Sequence, residues 1–282
     1  ANWMNFCFAL RIAPVQIWWS MKYYAFSSPG IDGYLCRFFV DEDFHNGKWR
    51  GGFLAVKQLY DASKTQAALE LKQQYPGKVI LGTMGRAELI NEGRFLTAVI
   101  QLLKQNPEAV YLWTGREADA AIVAAFTQAG VIAQTHFIGW IDTRLYAQVF
   151  DIYLDVFHFG TGFTLVETMA AGKPVVFLDE KRDFSVLTML RGIIREGYIK
   201  LDADQQGLLN TLVAADTAAY IGIVNELIAT PSLRTATGAL LAELAAIFEN
   251  RKLSAEIYQQ HIRAIVSSAL PNNPKPEGTS LP

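Results

Sequence analysis

The sequence predicts an α/β protein built on a parallel, doubly wound, Rossmann-like sheet, with a run of helices at its C-terminal end. Three observations carry this. From Lys78 onward, short apolar segments alternate with helical patterns. The segments are continuous apolar runs, as expected of strands covered on both faces. Several of them end in glycine-bearing turns.

Element by element, Ile12 to Trp19 and Tyr34 to Val40 read as strands, separated by the turn Ser27-Ser28-Pro29-Gly30. Asp41 to Gly52 is polar and glycine-bearing. A helical pattern runs from about Leu54 to Tyr75, and Pro76-Gly77 stops it. The alternation then begins. Lys78 to Thr83, Ala109 to Thr114, Thr135 to Ile138, Ile152 to Phe157 and Pro174 to Leu178 are strands. Between them, Glu92 to Gln105, Glu117 to Ala129, Thr143 to Phe150 and Thr164 to Ala171 are helices, and their crossovers should be right-handed. After Tyr198 the pattern is helical over Gln205–Val213, Thr217–Ala229, Leu233–Phe248 and Leu253–Val266. Four prolines in Leu270 to Pro282 predict a disordered tail.

Composition narrows the function. With 282 residues, 51% hydrophobic and 18% charged, the chain can bury a core. A net charge of −2 gives no global attraction for nucleic acid or an anionic membrane, so any phosphate must be held by a local site. No segment reads as a membrane span: Ala120 to Ile141 lacks charge, but Gln128, Gly130, Gln134, Thr135 and His136 break it into helix, turn and strand. Two cysteines suit a reducing, cytoplasmic compartment. The apolar start, with no Met at position 1 and no basic run, is a poor signal peptide and reads as the middle of a larger protein. The four histidines have no metal-ligand spacing, so no metal or cofactor is expected.

Ligands of an open parallel sheet bind beyond the carboxyl ends of the strands, and three such ends carry suitable residues. The first is Gly82-Thr83-Met84-Gly85-Arg86, where two glycines would let a ligand approach and Arg86 could pair with a diphosphate; the alternative is a plain turn with a surface arginine. The second runs from Asp155 to Glu167, with His158, Gly160, Thr161 and Gly162 in a loop and a helix starting near Phe163 or Thr164. That helix start is an anion site suited to a pyrophosphate. Glu167 could accept ribose hydroxyls, or merely complement the helix dipole, and His158 is either a catalytic or an ordinary loop histidine. The third pairs Gly115-Arg116 with Gly139-Trp140: Trp140 could stack on a base, or pack internally.

The run from Asp155 to Val176, with its small-Gly-x-Pro-Val-Val ending, resembles the donor-binding signature of GT-B glycosyltransferases. Arg11-Ile-Ala-Pro-Val-Gln16, followed by Ile31-Asp32-Gly-Tyr34, resembles a segment of family 41, which includes O-GlcNAc transferases and bacterial cytoplasmic adhesin N-glycosyltransferases. The resemblance covers most of residues 11 to 250. It implies a GT-B donor domain at 53–268, preceded by the end of an acceptor-side lobe at 1–52 and followed by the tail at 269–282. It also implies inverting, metal-independent transfer from a UDP-sugar to a protein or peptide acceptor; Arg86 and, by its strand-end position alone, His158 are the catalytic candidates. Glu167 then binds the ribose, and Gly160 to Thr164 and Gly85-Arg86 lie at the phosphates, while Gly115, Gly139 and Trp140 are candidates for the base from their strand-end positions alone. The acceptor and general base would come largely from a missing N-terminal lobe.

The chain departs from the family pattern in three places. Glu88-Leu89-Ile90-Asn91 stands where members carry a lysine, Phe159 stands where many retaining enzymes carry a glutamate, and Trp18 to Lys22 replaces a histidine-bearing segment. Two rival readings are a GT-B nucleotide-sugar epimerase and a degenerate nucleotide-sugar-binding module.

Overall fold

The computed structural model describes residues 2–20, 27–40, 44–55, 62–157, 162–179 and 185–270. The chain runs α1 (Asn2–Ala9), β1 (Ile17–Ser20), β2 (Gly33–Cys36) and β3 (Trp49–Gly51). It continues through α2 (Thr65–Gln73), β4 (Val79–Thr83), α3 (Ala87–Ile90), α4 (Gly93–Gln105), β5 (Ala109–Trp113) and α5 (Ala120–Ala129). Next come β6 (Thr135–Phe137), α6 (Thr143–Tyr146), β7 (Ile152–Leu154), α7 (Phe163–Ala170), β8 (Val175–Leu178) and α8 (Val186–Arg195). The last elements are α9 (Ala203–Asn210), β9 (Val213–Ala214), α10 (Thr217–Ala229), α11 (Pro231–Ala245) and α12 (Arg251–Ala269). They form two compact units: residues 57–249, and residues 1–56 together with 250–282. This grouping differs from the sequence-based division, which kept 53–268 together.

The larger unit holds a six-stranded sheet in the order β6-β5-β4-β7-β8-β9, and every neighbouring pair is parallel. All of β5, β7 and β8 is buried, which is why these strands read as unbroken apolar runs. Helix α4 covers the sheet with Phe95, Leu96, Val99, Leu102 and Leu103, a stripe at helical spacing. Each such side chain, fully buried, stabilises the fold by about 1.5–3 kcal/mol. Carboxylates cap the helix starts: Glu92 for α4, Asp119 for α5, Asp142 for α6, Asp202 for α9 and Asp216 for α10. Gly82 has an internal role. A Cβ there would lie 2.1 Å from the ring of Phe150, so this glycine makes room for the core rather than for a ligand.

Several elements differ from the sequence expectation. Helix α8 falls in a stretch that the sequence reading left without an element. Gly192 weakens its helical signal, but the Ser185 cap and burial of Val186, Leu187, Leu190 and Ile193 prevail. The helix expected over 205–213 ends at Asn210, because Val213 pairs with Phe177 as edge strand β9. The helix expected from Leu54 begins at Thr65 after a short 3₁₀ turn, and residues 56–61 of that span lie outside the described residues. Strand β3 lies in the polar stretch 41–52, and three residues are too few to show an alternation. The first strand starts at Ile17 rather than Ile12. Pro14 has no N–H to pair, and its carbonyl is taken by the Arg11 guanidinium at 2.9 Å.

The smaller unit is a parallel three-stranded sheet, β1-β2-β3, with α1 and α12. Leu35 of β2 packs with Tyr258 and Ile265 of α12, and Val15 and Ile17 join them. Three α12 side chains bond to backbone carbonyls: Ser254 Oγ to Phe53 at 2.7 Å, Tyr258 Oη to Cys36 at 2.9 Å, and the His261 ring to Gly51 at 2.9 Å. The Arg11…Gln16…Asp32 motif also lies here, and its members bond to one another. Arg11 reaches both Asp32 oxygens at 2.9 and 3.1 Å, and the Gln16 N–H donates to Asp32 at 2.8 Å. The Gln16 amide donates in turn to the carbonyls of Phe8 and Gly30 at 2.8 and 2.6 Å. Burial works to raise the Asp32 pKa, but the Gln16 N–H and the Arg11 guanidinium outweigh it and hold the carboxyl below its usual range. In this unit the motif is a brace.

Candidate functional site

Parallel pairing throughout the six-stranded sheet brings every strand's carboxyl end to one edge. The chain leaves β4 toward β5 and β6, then returns to the other side of β4 for β7, β8 and β9. The switch point therefore lies between β4 and β7, the place where open parallel sheets bind ligands in a crevice beyond the strand ends.

On one side of the crevice the β4 turn is held from two directions. Tyr153 Oη accepts from the Met84 N–H and donates to the Met84 carbonyl, both at 3.1 Å, and Thr83 Oγ1 donates to the Leu154 carbonyl at 3.0 Å. The Gly85 N–H donates to Thr114 Oγ1 at 3.0 Å, and that hydroxyl donates back to the Gly85 carbonyl at 3.3 Å. Arg86 follows as the extended N-cap of α3, with an exposed side chain. A second cation follows eight residues on. Arg94, in the first turn of α4, sets its guanidinium carbon 5.8 Å over the ring of Phe157, which follows β7. Its Nε bonds to Glu92 at 3.1 Å.

On the other side, α7 starts directly after Gly162, whose φ of 65° suits glycine and which has no side chain to cap the helix. Its start combines first-turn N–H groups with the positive end of the helix dipole. Phe163 and Thr164 form that first turn. Glu167 lies in the next turn and is half-buried, with Oε2 accepting from the Thr143 hydroxyl at the start of α6. It is thus joined to a side chain of the neighbouring loop–helix segment, beyond the first-turn position that complements a dipole. Burial pushes its pKa above the ordinary value and nearby Asp142 adds to this, against the Thr143 bond and the Arg144 charge. Glu167 also lines a depression of about 180 Å³ with Arg144, Leu145, Gln148, Ala170 and Ala171.

The turns after β5 and β6 continue the same edge. The Gly115 N–H donates to the Gly139 carbonyl at 3.3 Å, and Gly139 takes a left-handed φ of 75°. Trp140 is 75% exposed, so it does not pack internally. His158, Gly160 and Thr161, like Phe159, lie outside the described residues. The other expected site residues (Gly85, Arg86, Gly115, Gly139, Trp140, Gly162, Phe163, Thr164 and Glu167) all stand on the carboxyl edge of the sheet or on the helix that leaves it.

Four further residues at this edge escaped the sequence reading: Arg94, Thr114, Thr143 and Tyr153. Arg94 lies three residues past Asn91, inside the helix rather than in the stretch before it. The Thr143–Glu167 bond joins residues 24 apart, and Tyr153–Met84 residues 69 apart, distances at which no local spacing signals a pairing.

Residues 78–215, from the start of β4 to the end of β9, match the family model described as "Glycosyl transferases group 1". A comparison with curated proteins finds no match. Among solved structures, the chain is similar to an O-GlcNAc transferase mutant of Thermobaculum terrenum, with a TM-score of 0.66 and 16% identity over 95% of this chain. It is also similar to Anabaena HepE in complex with UDP and glucose, with a TM-score of 0.56 and 14% identity over 84% of this chain and 64% of that one. The pneumococcal O-GlcNAc transferase GtfA, in complex with UDP and GlcNAc, gives 0.53 and 16% over 88% of this chain and 47% of that one. The chain spans 51% of the length of the Thermobaculum structure. The fold is that of GT-B glycosyltransferases. No helix among the described residues is long and apolar enough to cross a membrane.

Proposed function

We propose that this chain is the donor-binding part of an inverting, metal-independent glycosyltransferase. In this reading it transfers a hexose or N-acetylhexosamine from a UDP-sugar to a protein side chain, in the cytoplasm. The observation that carries the proposal is the β4–β7 switch point, where the start of α7, two arginines and Glu167 stand at one sheet edge. A nucleoside diphosphate is the ligand that fits. Its phosphates suit the start of α7 and the guanidinium groups of Arg86 and Arg94, its ribose hydroxyls suit the Glu167 carboxylate, and its base suits the Gly115 and Gly139 turns. The two neighbours named as O-GlcNAc transferases support a protein acceptor, and the family 41 resemblance supports inversion without a metal.

In the transfer, a heteroatom of the acceptor forms a bond to the anomeric carbon as the bond to the β-phosphate oxygen breaks. UDP departs with that electron pair. Arg86, Arg94 and the helix start stabilise the charge that develops on it. The acceptor's proton passes to a base, for which His158 is the candidate in this chain. The acceptor's binding site and further groups would come from an N-terminal lobe.

Calorimetric titration tests the proposal. UDP should bind in the micromolar range or tighter, at least tenfold tighter than uridine, because charge-assisted bonds form only to the diphosphate. EDTA should leave this affinity unchanged. Equal affinity for UDP and uridine would remove the anion site, and loss of binding in EDTA with recovery on Mg²⁺ would remove the metal-independent mechanism.

A further inference from the structure

At the opposite edge of the six-stranded sheet, where β7 and β8 begin, a depression of about 480 Å³ opens beside the start of α11. Asp151, Lys173, Pro174 and Arg234 are among the residues that line it. Its wall is a close approach of two backbones: a Cβ on Gly238 of α11 would lie 2.1 Å from the Gly172 carbonyl oxygen. The Arg234 guanidinium is anchored by the carbonyls of Leu227 and Ile228, at 2.6 and 2.8 Å. Lys173 is half-buried, and its amine is within hydrogen-bonding reach of the amine of Lys72 in α2. Lys72 in turn bonds to one oxygen of Asp151 at 3.3 Å, while the other oxygen accepts from the Ile80 N–H at 2.9 Å. The cations of Lys72, Lys173 and Arg234 thus gather about one carboxylate, and that carboxylate is already engaged. Burial and the charge of Lys72 push the Lys173 pKa below its ordinary value, against the attraction of Asp151. Positive charge is in excess here, and an anion would relieve it.

We infer that this depression is a second anion site, which takes a phosphate group on Lys173 and Arg234 with Lys72 behind it. The site is independent of the donor-site reading, since it lies at the amino ends of the strands and shares no residue with that crevice. A phosphate oxygen set between the two ammonium groups replaces their repulsion with charge-assisted hydrogen bonds. Arg234 adds a planar, permanently charged partner. Several cations suit a dianion better than the single charge of a carboxylate. The depression is far larger than one water's share of about 30 Å³, so a phosphate and a small molecule that carries it can both enter.

Calorimetric titration and thermal melting of the intact chain test the inference, with inorganic phosphate, glycerol phosphate and sodium chloride of matched ionic strength as probes. Phosphate should bind and raise the melting temperature, and chloride should do neither. Lys173→Met should weaken phosphate by about tenfold or more, the scale of one charge-assisted hydrogen bond. It should not lower the melting temperature of the anion-free chain, because it removes a half-buried charge. Lys173→Arg should keep the binding, since the charge is kept. Arg86→Ala, at the other edge of the sheet, should leave the Lys173-dependent binding unchanged. Tighter binding of glycerol phosphate than of inorganic phosphate would assign the site to a phosphorylated small molecule, and equal affinity to the free ion. If chloride raises the melting temperature as much as phosphate does, the effect is screening and there is no site. If Lys173→Met binds phosphate like the parent while Arg86→Ala does not, the phosphate sits at the donor edge and the inference fails. A parent chain that binds no phosphate overturns it outright.

Discussion

Glu167 concentrates the chemistry of the site in one carboxylate. One oxygen is bound to Thr143, and burial with Asp142 nearby favours the neutral acid. Its folded-state pKa is therefore raised, so the stability linked to it is fully present below the unfolded pKa near 4.5 and is lost as pH rises through the folded value. Ribose recognition runs the other way, since only the ionised form offers acceptors alone. Uridine affinity should thus increase as pH rises through the raised pKa, and uridine avoids the titration of a diphosphate. Glu167→Gln should abolish that pH dependence and weaken UDP by about tenfold or more, the scale of a charged hydrogen bond. The same variant should not lower the melting temperature at pH 7, because it removes a half-buried charge. A variant that melts early but binds UDP normally would place Glu167 in the scaffold. At this scale the sequence was partly legible: the position of Glu167 follows from the helix start, but its partner Thr143 does not.

The β4 turn shows how the elements hold the site. Its Met84 N–H and carbonyl are buried at the strand end, and both are satisfied by one phenol from the neighbouring strand. Tyr153→Phe would leave these two groups without that partner, at a cost of about 1–3 kcal/mol. It should also weaken UDP, because the loosened turn carries Gly85 and Arg86. Denaturant unfolding and UDP titration on the one variant check both effects, and unchanged stability would show that the phenol does not hold the turn. Element type was legible wherever burial imposed a pattern. Strands β4, β5, β7 and β8 are continuous apolar runs because helices cover both faces, and α4 and α10 carry stripes at helical spacing. It was not legible where length or local chemistry hid the pattern. Strand β9 has two residues and β3 has three, while α8 carries a glycine in its middle.

At the scale of the whole molecule, the sequence places α12 directly after the donor-domain helices, but its contacts assign it to the unit that contains residues 1–56. No local signal could have shown this, since Ser254 and its partner Phe53 are 201 residues apart. The three-stranded sheet depends on this helix in two ways. Tyr258 and Ile265 cover Leu35 of the central strand, and three α12 side chains bond to carbonyls at Cys36, Gly51 and Phe53. So small a sheet exposes too much apolar surface to be stable by itself. A chain ending at Glu249 should therefore lose hydrogen-exchange protection at Leu35 and Cys36 of β2, while the amides of β4 and β5 remain protected by their own helices. Ile265→Ala is the milder form of the experiment. It should cost about 2–5 kcal/mol by leaving a cavity against Leu35 and Gly33, with the loss read first in β2. If the shortened chain kept β2 protected to the same degree as the full chain, the residues before 57 would form their own core without α12. The sequence-based boundary at 53–268 would then describe the folding units better than the contacts do.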